Sequence, residues 1–316
     1  MSNLDPHPQE AVCGGTADVA DAPVRELLVG REVVLGGTRG MPVTRTLPNK
    51  HRRMVGAWCF VDHYIGDVTM TVPPHPHTQL QTVTWLVTGE VRHRDSLGSD
   101  QLIRPGQLNL MTAGRGIAHA EQSPPPGGIL HGVQLWVALP LRAAETEPAF
   151  AHHADLPVLS DGPVSVRVLM GSLDGAVSVA RAFTPLVGAE VSFTGPGRTE
   201  LTLEADFEYA ALTLSGTADV DGEPLPPGPL LYLGTGRSRL ALEAAAEARV
   251  LLLGGEPFSE EIIMWWNFIG RSHEEIVAAR EDWMAGRRFG PVSFEGAPLP
   301  APELPTSVLK PKGRIR

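Results

Sequence analysis

The chain has 316 residues, enough for two ordinary domains, and a formal net charge of -10. An acidic chain with only short basic clusters repels polyanions, so direct nucleic-acid binding is not expected. Its two cysteines rule out a disulfide framework. No signal-peptide pattern and no apolar run near the roughly 20 residues of a membrane span are present, which predicts a cytoplasmic protein without a membrane partner.

The chain begins with residues 1–23, which are rich in Pro, Gly, Ala and acids and show no periodicity. This composition predicts a flexible N-terminal arm. From Val24 onward, short Val- and Leu-rich runs alternate with turn signals such as Gly36-Gly37. The high content of glycine and proline likewise favours many turns and short strands over long helices. The chain is therefore predicted to be mainly β.

The clearest strand pattern lies between residues 81 and 88, where Val83 and Trp85 alternate with Thr82 and Thr84. Gly89-Glu90 supplies a turn, and residues 91–95 are predicted to return as the second strand of a hairpin. Residues 107–111, the segment around residues 119–121 and residues 131–139 are predicted as further strands. The β pattern therefore continues to residue 139.

Residues 145–157 are polar and irregular, which predicts a junction between two domains. His152 and His153 lie inside it and are adjacent, so their rings would point in opposite directions along an extended segment. We interpret them as solvated linker residues.

The segment 164–254 repeats the turn spacing of the first half, with Gly216 aligned to Gly89 and Pro227 aligned to Pro105. The positions aligned with His75, His77, His119 and Glu121 are then Thr202, Glu204, Ala241 and Glu243. The second half is therefore predicted to be a second barrel without the histidines.

A helix is predicted near the C-terminus, because Ser272 and Glu275 have capping-box spacing and Gly286 has the character of a helix stop. The predicted organisation has four parts. They are the arm (1–23), an N-terminal barrel with a metal site (24–150), a C-terminal barrel without metal ligands (151–255), and a C-terminal helix and tail that pack on the barrels (256–316).

The residues that carry chemistry are two pairs with a spacing of two, His75 with His77 and His119 with Glu121. On a strand this spacing places both side chains of a pair on one face. Two such pairs facing inward across a barrel would offer three nitrogens and one oxygen, a set that suits Fe, Mn, Ni, Zn or Cu. Four protein ligands also leave positions open on a six-coordinate ion.

The alternative interpretation is a set of histidines satisfied by hydrogen bonds in a β core, but the repeated pairing beside Gly and Pro turns favours a metal. His93 and His131 lie on adjacent predicted strands and could hold a ligand or a substrate. An ordinary hydrogen-bonded strand histidine is the simpler interpretation for both. His63 and His51 show no pattern and are interpreted as structural.

Four motifs carry a resemblance to a known family. They are PHPH (74–77), TVTWLVTGEVRHRDS (82–96), PGQLNLMTAGRGIAHAE (105–121) and HGVQLWVALP (131–140). Together with IIMWWNFIGRSHEEIVAAREDW (262–283), they resemble the pirin family of the cupin superfamily. The resemblance implies a bicupin, with two face-to-face cupin β-barrels of jelly-roll type and a short C-terminal helix. It also implies one divalent transition metal, usually Fe(II), in the first barrel only, bound by His75, His77, His119 and Glu121.

The chain departs from the pirin pattern directly after the first histidine pair. Pirins commonly have Arg-Gly-Phe-Glu there, whereas this chain has Thr78, Gln79, Leu80 and Gln81. Many other cupins use that Glu as a ligand, but in pirins the carboxylate comes from the His-x-Glu pair, so Gln81 is not expected to empty the site. Thr78 and Gln79 are expected near the cavity mouth, where they would alter substrate preference.

The resemblance leaves two functions open. Some pirins resemble quercetin 2,3-dioxygenases, oxidoreductases that cleave flavonols with dioxygen, and Glu121 would then be both ligand and proton acceptor. Other pirins are iron-binding, redox-sensitive regulators that act through a protein partner such as a transcription factor or a metabolic enzyme. An open apolar cavity above the metal would favour the enzyme, and a closed mouth with an exposed patch would favour the regulator.

Overall fold

A computed structural model describes residues 11–13, 23–35 and 41–314. Most of the predicted N-terminal arm and the Gly36-Gly37 turn lie outside these ranges. Residues Ala11–Cys13, which fall within the predicted arm, form a strand that pairs with residues Ile262–Met264 near the C-terminus.

The strands described in the first half are β1 (Ala11–Cys13), β2 (Glu26–Leu28), β3 (Arg31–Leu35), β4 (Met41–Leu47), β5 (Trp58–Val68), β6 (Thr71–His77), β7 (Leu80–Thr88), β8 (Val91–Asp95), β9 (Asp100–Ile103), β10 (Leu108–Thr112), β11 (Ile117–Gln122), β12 (Gly128–Ala138) and β13 (Ala149–His153). A 3-10 turn at Leu141–Ala143 precedes β13.

The elements described in the second half are β14 (Val158–Asp161), β15 (Val164–Leu173), β16 (Ala176–Val177), β17 (Leu186–Phe193), β18 (Gly197–Thr202), β19 (Glu208–Ser215), β20 (Ala218–Val220), β21 (Glu223–Leu225), β22 (Leu230–Gly234), β23 (Arg239–Ala244), β24 (Ala248–Gly255), β25 (Ile262–Trp265), β26 (Phe268–Gly270) and α1 (His273–Met284). The mainly β class with one C-terminal helix is confirmed.

The first barrel consists of two facing sheets. One has the strand order β13-β10-β7-β12-β5-β4-β3 and the other β6-β11-β8-β9. From β5 to β8, and again from β9 to β12, the chain alternates between the two sheets, which is the winding of a jelly roll. An apolar cluster that includes Tyr64, Leu86 and Val91 fills part of the space between them.

The predicted hairpin of residues 81–95 is wrong. β7 pairs with β10 and β12, whereas β8 pairs with β9 and β11 in the opposite sheet. The turn at Gly89, which has a φ of 88°, therefore carries the chain from one sheet to the other. Local alternation predicted both strands correctly, but it does not encode the strand with which each one pairs.

The second barrel repeats this construction with the strand orders β14-β15-β17-β24-β19-β22-β2 and β18-β23-β20-β21. Its first sheet recruits β2 from the N-terminal region, because Glu26–Leu28 pair with β22. The turns at Pro105-Gly106 and Pro227-Gly228 connect equivalent strands, as predicted. The exact domain boundaries at residues 150 and 255 stay predictions.

The register of the predicted repeat is wrong by one residue. The buried residues on β18, on β23 and just after β18 are leucines, whereas Thr202, Glu204 and Glu243 are exposed. These inward leucines are Leu201, Leu203, Leu240 and Leu242. A shift of one residue moves every side chain of a strand to its other face. The described interior of the second barrel is therefore an apolar core.

The two barrels share one apolar interface. Trp58 of β5 is fully buried there, and its indole N–H donates to the carbonyls of Val187 and Gly254 in the second barrel, both at 3.1 Å. Trp85 of β7 donates to Glu190 Oε2 at 2.8 Å. The cluster that contains Trp58 draws residues from both halves, so the predicted face-to-face arrangement is confirmed.

The interpretation of His152 and His153 as solvated linker residues is wrong. Both lie on β13, which pairs with β10 at the edge of the first barrel. His152 Nδ1 is 2.7 Å from Asn109 Oδ1. The segment is ordered because the unpaired edge of β10 accepts another strand, a long-range contact that its polar composition does not reveal.

The predicted helix is confirmed as α1. Ser272 is its N-cap and accepts a hydrogen bond from the Glu275 backbone N–H at 3.3 Å. Gly286 follows the helix with a φ of 68° and bonds back to the Trp283 carbonyl, as a C-terminal stop requires. Within the described chain, no helix has both the length and the apolar character needed to cross a membrane.

Candidate metal centre

Six titratable side chains meet on the inward face of three adjacent strands, β6, β11 and β8, and one of them is His77, which shares the face of His75 on β6. His75 lies opposite His119 across the β6–β11 pair. His119 in turn lies opposite Asp95, and Glu121 lies opposite His93, across the β11–β8 pair. Residues that lie opposite one another in an antiparallel pair project to the same side of the sheet. The register therefore brings all these groups into the first barrel.

The sequence around the histidines explains this local structure. β6 is the edge strand of its sheet, so Pro74 and Pro76 remove no hydrogen bond that the ladder needs. The Pro74 carbonyl instead accepts the backbone N–H of Leu299 from the C-terminal tail. Before β11, Gly114 adopts a φ of 50°, and a Cβ there would lie 1.9 Å from the Thr146 carbonyl oxygen. Only glycine fits this turn.

His75, His77 and His119 form the centre of the site. One ligand nitrogen from each lies within 4.8 Å of the other two. His77 Nε2 and His119 Nε2 are 3.1 Å apart. All three side chains are 0% exposed. The three-histidine part of the predicted ligand set therefore comes together in the barrel interior.

Two backbone carbonyls determine which ring nitrogens of His75 and His77 carry hydrogen. His75 Nδ1 lies 2.8 Å from the Pro73 carbonyl, and His77 Nδ1 lies 3.1 Å from the Asn267 carbonyl. A carbonyl only accepts, so each Nδ1 must donate its N–H. Each Nε2 is then left with a lone pair directed into the site, as a metal ligand requires.

The rings are also held in the neutral state that metal binding needs. Burial lowers the pKa of His77 to about 3. Burial, with the neighbouring histidines, also holds the pKa values of His75 and His119 well below their usual range. His75 Nε2 is buried and has no hydrogen-bond partner among the described residues.

The geometry fits a divalent transition metal. Two ligand atoms at right angles, each about 2.1 Å from an ion, lie about 3.0 Å apart. The Nε2 atoms of His77 and His119 have nearly this separation. Imidazole donors suit Fe, Ni, Zn and Cu, and a carboxylate donor also suits Mn, so these residues are compatible with the metals predicted from the sequence.

Glu121 is buried beside the three histidines. Its carboxylate forms a second cluster of potential ligands with His119 and His93, in which the ligand atoms lie within 4.8 Å of one another. It is 1% exposed. Glu121 is not part of the group formed by His75, His77 and His119, so its place in the four-residue ligand set stays a prediction.

Comparisons with known proteins show which family the chain belongs to. Residues 40–137 match the Pirin family, and residues 189–290 match the Pirin C-terminal cupin domain. The chain belongs to the pirin family. It is 46% identical over 288 residues to a Pseudomonas aeruginosa protein named "putative quercetin 2,3-dioxygenase", covering 89% of this chain and 91% of that one.

Two further relatives support the assignment to the pirins. A Caulobacter vibrioides pirin-like protein is 38% identical over 276 residues, covering 83% of this chain and 94% of that protein. A crystal structure titled as quercetin 2,3-dioxygenase from Acinetobacter baumannii matches with a TM-score of 0.86 and 41% identity, covering 90% of this chain and 98% of that one. The pirin fold is therefore shared along nearly the whole chain.

The residues of this pirin that follow the first histidine pair bind the C-terminal region. Thr78 exchanges hydrogen bonds with Ile269 of β26. Gln79 is 4% exposed, and its amide bonds Glu275 of α1 and Arg271. Both residues were expected near a cavity mouth, but their side chains are buried under a segment that is remote in sequence.

Gln81 and His131 lie away from the histidine cluster and face the second barrel. Gln81 Nε2 donates to Thr112 Oγ1 and to the Arg181 carbonyl. His131 Nε2 lies 2.9 Å from His63 Nε2, so one of these two rings donates to the other. The interaction between His63 and His131 was not predicted, because it depends on the pairing of β5 with β12.

This histidine pair predicts a pH dependence of stability. Burial, with the nearby His131, lowers the pKa of His63 to about 4. In the unfolded chain the pKa is about 6.5, so the unfolded state takes up the proton first as the pH falls. Neutral His63 makes its full contribution to the free energy of unfolding above about pH 6.5, and this contribution is lost as the pH falls towards 4. The free energy of unfolding should therefore drop by about 2 kcal/mol between pH 7 and pH 5 on account of His63.

His63→Gln should therefore reduce the loss of unfolding free energy between pH 7 and pH 5, measured by urea titration of metal-loaded protein. The matched control is His51→Gln, since His51 is exposed. Equal pH slopes for the wild type and His63→Gln would contradict the prediction.

Proposed function

We propose that this pirin is an Fe(II)-dependent dioxygenase that acts on flavonol-like substrates with dioxygen. The proposed ligands are His75, His77, His119 and Glu121. The observation that carries the proposal is the convergence of three buried, neutral imidazoles in the first barrel. The printed names of the P. aeruginosa and A. baumannii relatives support a quercetin-type substrate class.

In this proposal a bound divalent metal supplies Lewis acidity and access to dioxygen. The protein itself holds the imidazoles of His75 and His77 through the carbonyls of Pro73 and Asn267 and buries them completely. Glu121 is the only carboxylate among the proposed ligands. It is therefore the group that would accept the hydroxyl proton of an enol substrate.

Glu121→Gln tests this role. An amide oxygen still coordinates but accepts no proton, so we expect the variant to retain most of its metal while turnover falls by about 10²–10⁴-fold. Metal content is measured by elemental analysis, and turnover by oxygen uptake with quercetin, other flavonols and simple enediols. The matched control is Glu243→Gln, an exposed glutamate on β23 of the second barrel, which should leave both quantities unchanged.

One observation favours a second candidate, a non-catalytic, redox-sensitive iron protein that regulates a protein partner. The three histidines and Glu121 are 0–1% exposed, and the β25–β26 segment contacts His77 and Thr78 from outside. A flavonol could reach these groups only after some covering segment moved. Oxygen uptake no faster than that of free iron, with the protein fully loaded and the whole substrate panel tested, would refute the enzyme and leave the regulator.

A further inference from the structure

A chain of hydrogen bonds leads from the histidine cluster to a buried carboxylate. His119 Nδ1 lies 3.3 Å from His93 Nδ1, and His93 Nε2 lies 3.0 Å from Asp95 Oδ2. His93 is 3% exposed and Asp95 is 2% exposed. The contacts follow the strand register, in which His119 lies opposite Asp95 and His93 is its diagonal neighbour on β8.

The carboxylate fixes the direction of every bond in this chain. An ionised carboxylate only accepts, so His93 Nε2 must carry the hydrogen, and Nδ1 of the neutral His93 ring then holds a lone pair. That lone pair can only accept, so His119 Nδ1 carries the next hydrogen. His119 Nε2 is then left with its lone pair, and this is the atom 3.1 Å from His77 Nε2.

Asp95 and His93 are both held rigidly. Asp95 Oδ1 accepts the backbone N–H groups of Leu97 at 2.9 Å and Ser99 at 3.0 Å, so Oδ2 is the oxygen left to face His93. The His93 ring stacks on Phe150 of β13, with a centroid separation of 4.2 Å and an interplanar angle of 11°. Neither side chain can turn away without losing these contacts.

We propose that Asp95 and His93 are positioning residues that set the tautomer of His119, so that its Nε2 lone pair faces the metal. The inference rests on the proposed metal site. Backbone carbonyls do the same for His75 and His77. His119 differs because its tautomer depends on side chains, which makes the third metal–nitrogen bond sensitive to residues that do not touch the metal.

Asp95→Asn is the decisive variant. Its amide oxygen can keep the two backbone N–H bonds, which directs the NH2 group at His93 Nε2. A flipped amide would oppose two backbone donors, so that orientation is disfavoured. His93 must then accept at Nε2 and donate from Nδ1, which forces His119 into the tautomer with hydrogen on Nε2. That nitrogen cannot bind a metal without losing its proton.

The experiment has two readouts that do not depend on turnover. Nitrogen-15 NMR of the metal-free proteins distinguishes the two tautomers of His119. Titration with Ni(II), which is stable in air, measures affinity. We expect hydrogen on Nδ1 in the wild type and on Nε2 in Asp95→Asn, and a 10–100-fold loss of Ni(II) affinity. The matched control, Asp100→Asn, replaces an exposed carboxylate of β9 that pairs with Arg92, and both readouts should stay as in the wild type.

His93→Phe provides a second route if Asp95→Asn folds poorly. It preserves the aromatic stack on Phe150 but removes the acceptor for His119 Nδ1, so affinity should fall again. An unchanged His119 tautomer in Asp95→Asn, or Ni(II) affinity within twofold of the wild type in both variants, would overturn the inference. Absence of flavonol turnover would instead contradict the proposed dioxygenase activity and leave this inference standing.

Discussion

Replacing either His77 or His119 by alanine is expected to reduce the bound metal from about one ion per chain to near zero. Each substitution removes one of the two nitrogens that lie 3.1 Å apart at the centre of the site, so only three of the four proposed ligands remain to hold the metal against a chelator. The fold should persist, because the apolar clusters that hold the barrels do not contain these side chains. Elemental analysis after dialysis against a chelator measures the loss, and circular dichroism checks the fold.

The matched control is His152→Ala. His152 lies on β13 of the same barrel, but its Nδ1 contacts Asn109 rather than the cluster. It should keep full metal occupancy. If His77→Ala or His119→Ala also kept full occupancy after chelation, the proposed ligand assignment would be wrong.

The centre of this site could be predicted because its geometry is local. A spacing of two on a strand places His75 beside His77, and His119 beside Glu121, whatever the rest of the chain does. The two pairs meet because β6 pairs with β11 in a register that places His75 opposite His119. That register could not be predicted from the sequence, since periodicity alone does not state which strands pair.

The roles of His93 and Asp95 could not be predicted in the same way. His93 and Asp95 alternate with Val91 along β8, and all three lie on its buried face. The sequence pattern, however, predicted that β8 pairs with β7, and that pairing would not place His93 and Asp95 next to His119. Only the crossing at Gly89 to the other sheet brings β8 beside β11. The chemistry of these two residues therefore depends on tertiary topology.

Long-range partners also explain why Thr78 and Gln79 were misplaced. Their hydrogen-bond partners, Ile269, Arg271 and Glu275, lie about 190 positions later in the chain. Polar residues after a ligand pair suggest a solvent-facing mouth when no covering segment is known. The same limit applies to β2, whose pairing with β22 of the second barrel connects residues about 200 positions apart in the sequence.

The second large effect is expected at the interface between the barrels, where Trp58→Ala should lower the free energy of unfolding by about 4 kcal/mol. Trp58 is 0% exposed. The substitution leaves a cavity in the shared core and two carbonyls, of Val187 and Gly254, without their indole donor. Urea titration followed by circular dichroism measures the change. The wild type should unfold in one transition, because this core draws residues from both halves.

Trp58→Phe separates the cost of the cavity from the cost of the lost hydrogen bonds. It keeps an aromatic ring packed against Gly188, where an added Cβ would lie only 2.9 Å from the Trp58 ring. The phenyl ring, however, cannot donate to either carbonyl. We expect a smaller cost, about 1–3 kcal/mol. Folded molecules of both variants should still bind metal, since β5 lies in the sheet opposite β6, β11 and β8. A cost below about 1 kcal/mol for Trp58→Ala, or separate unfolding of the two barrels in the wild type, would show that this interface does not couple them.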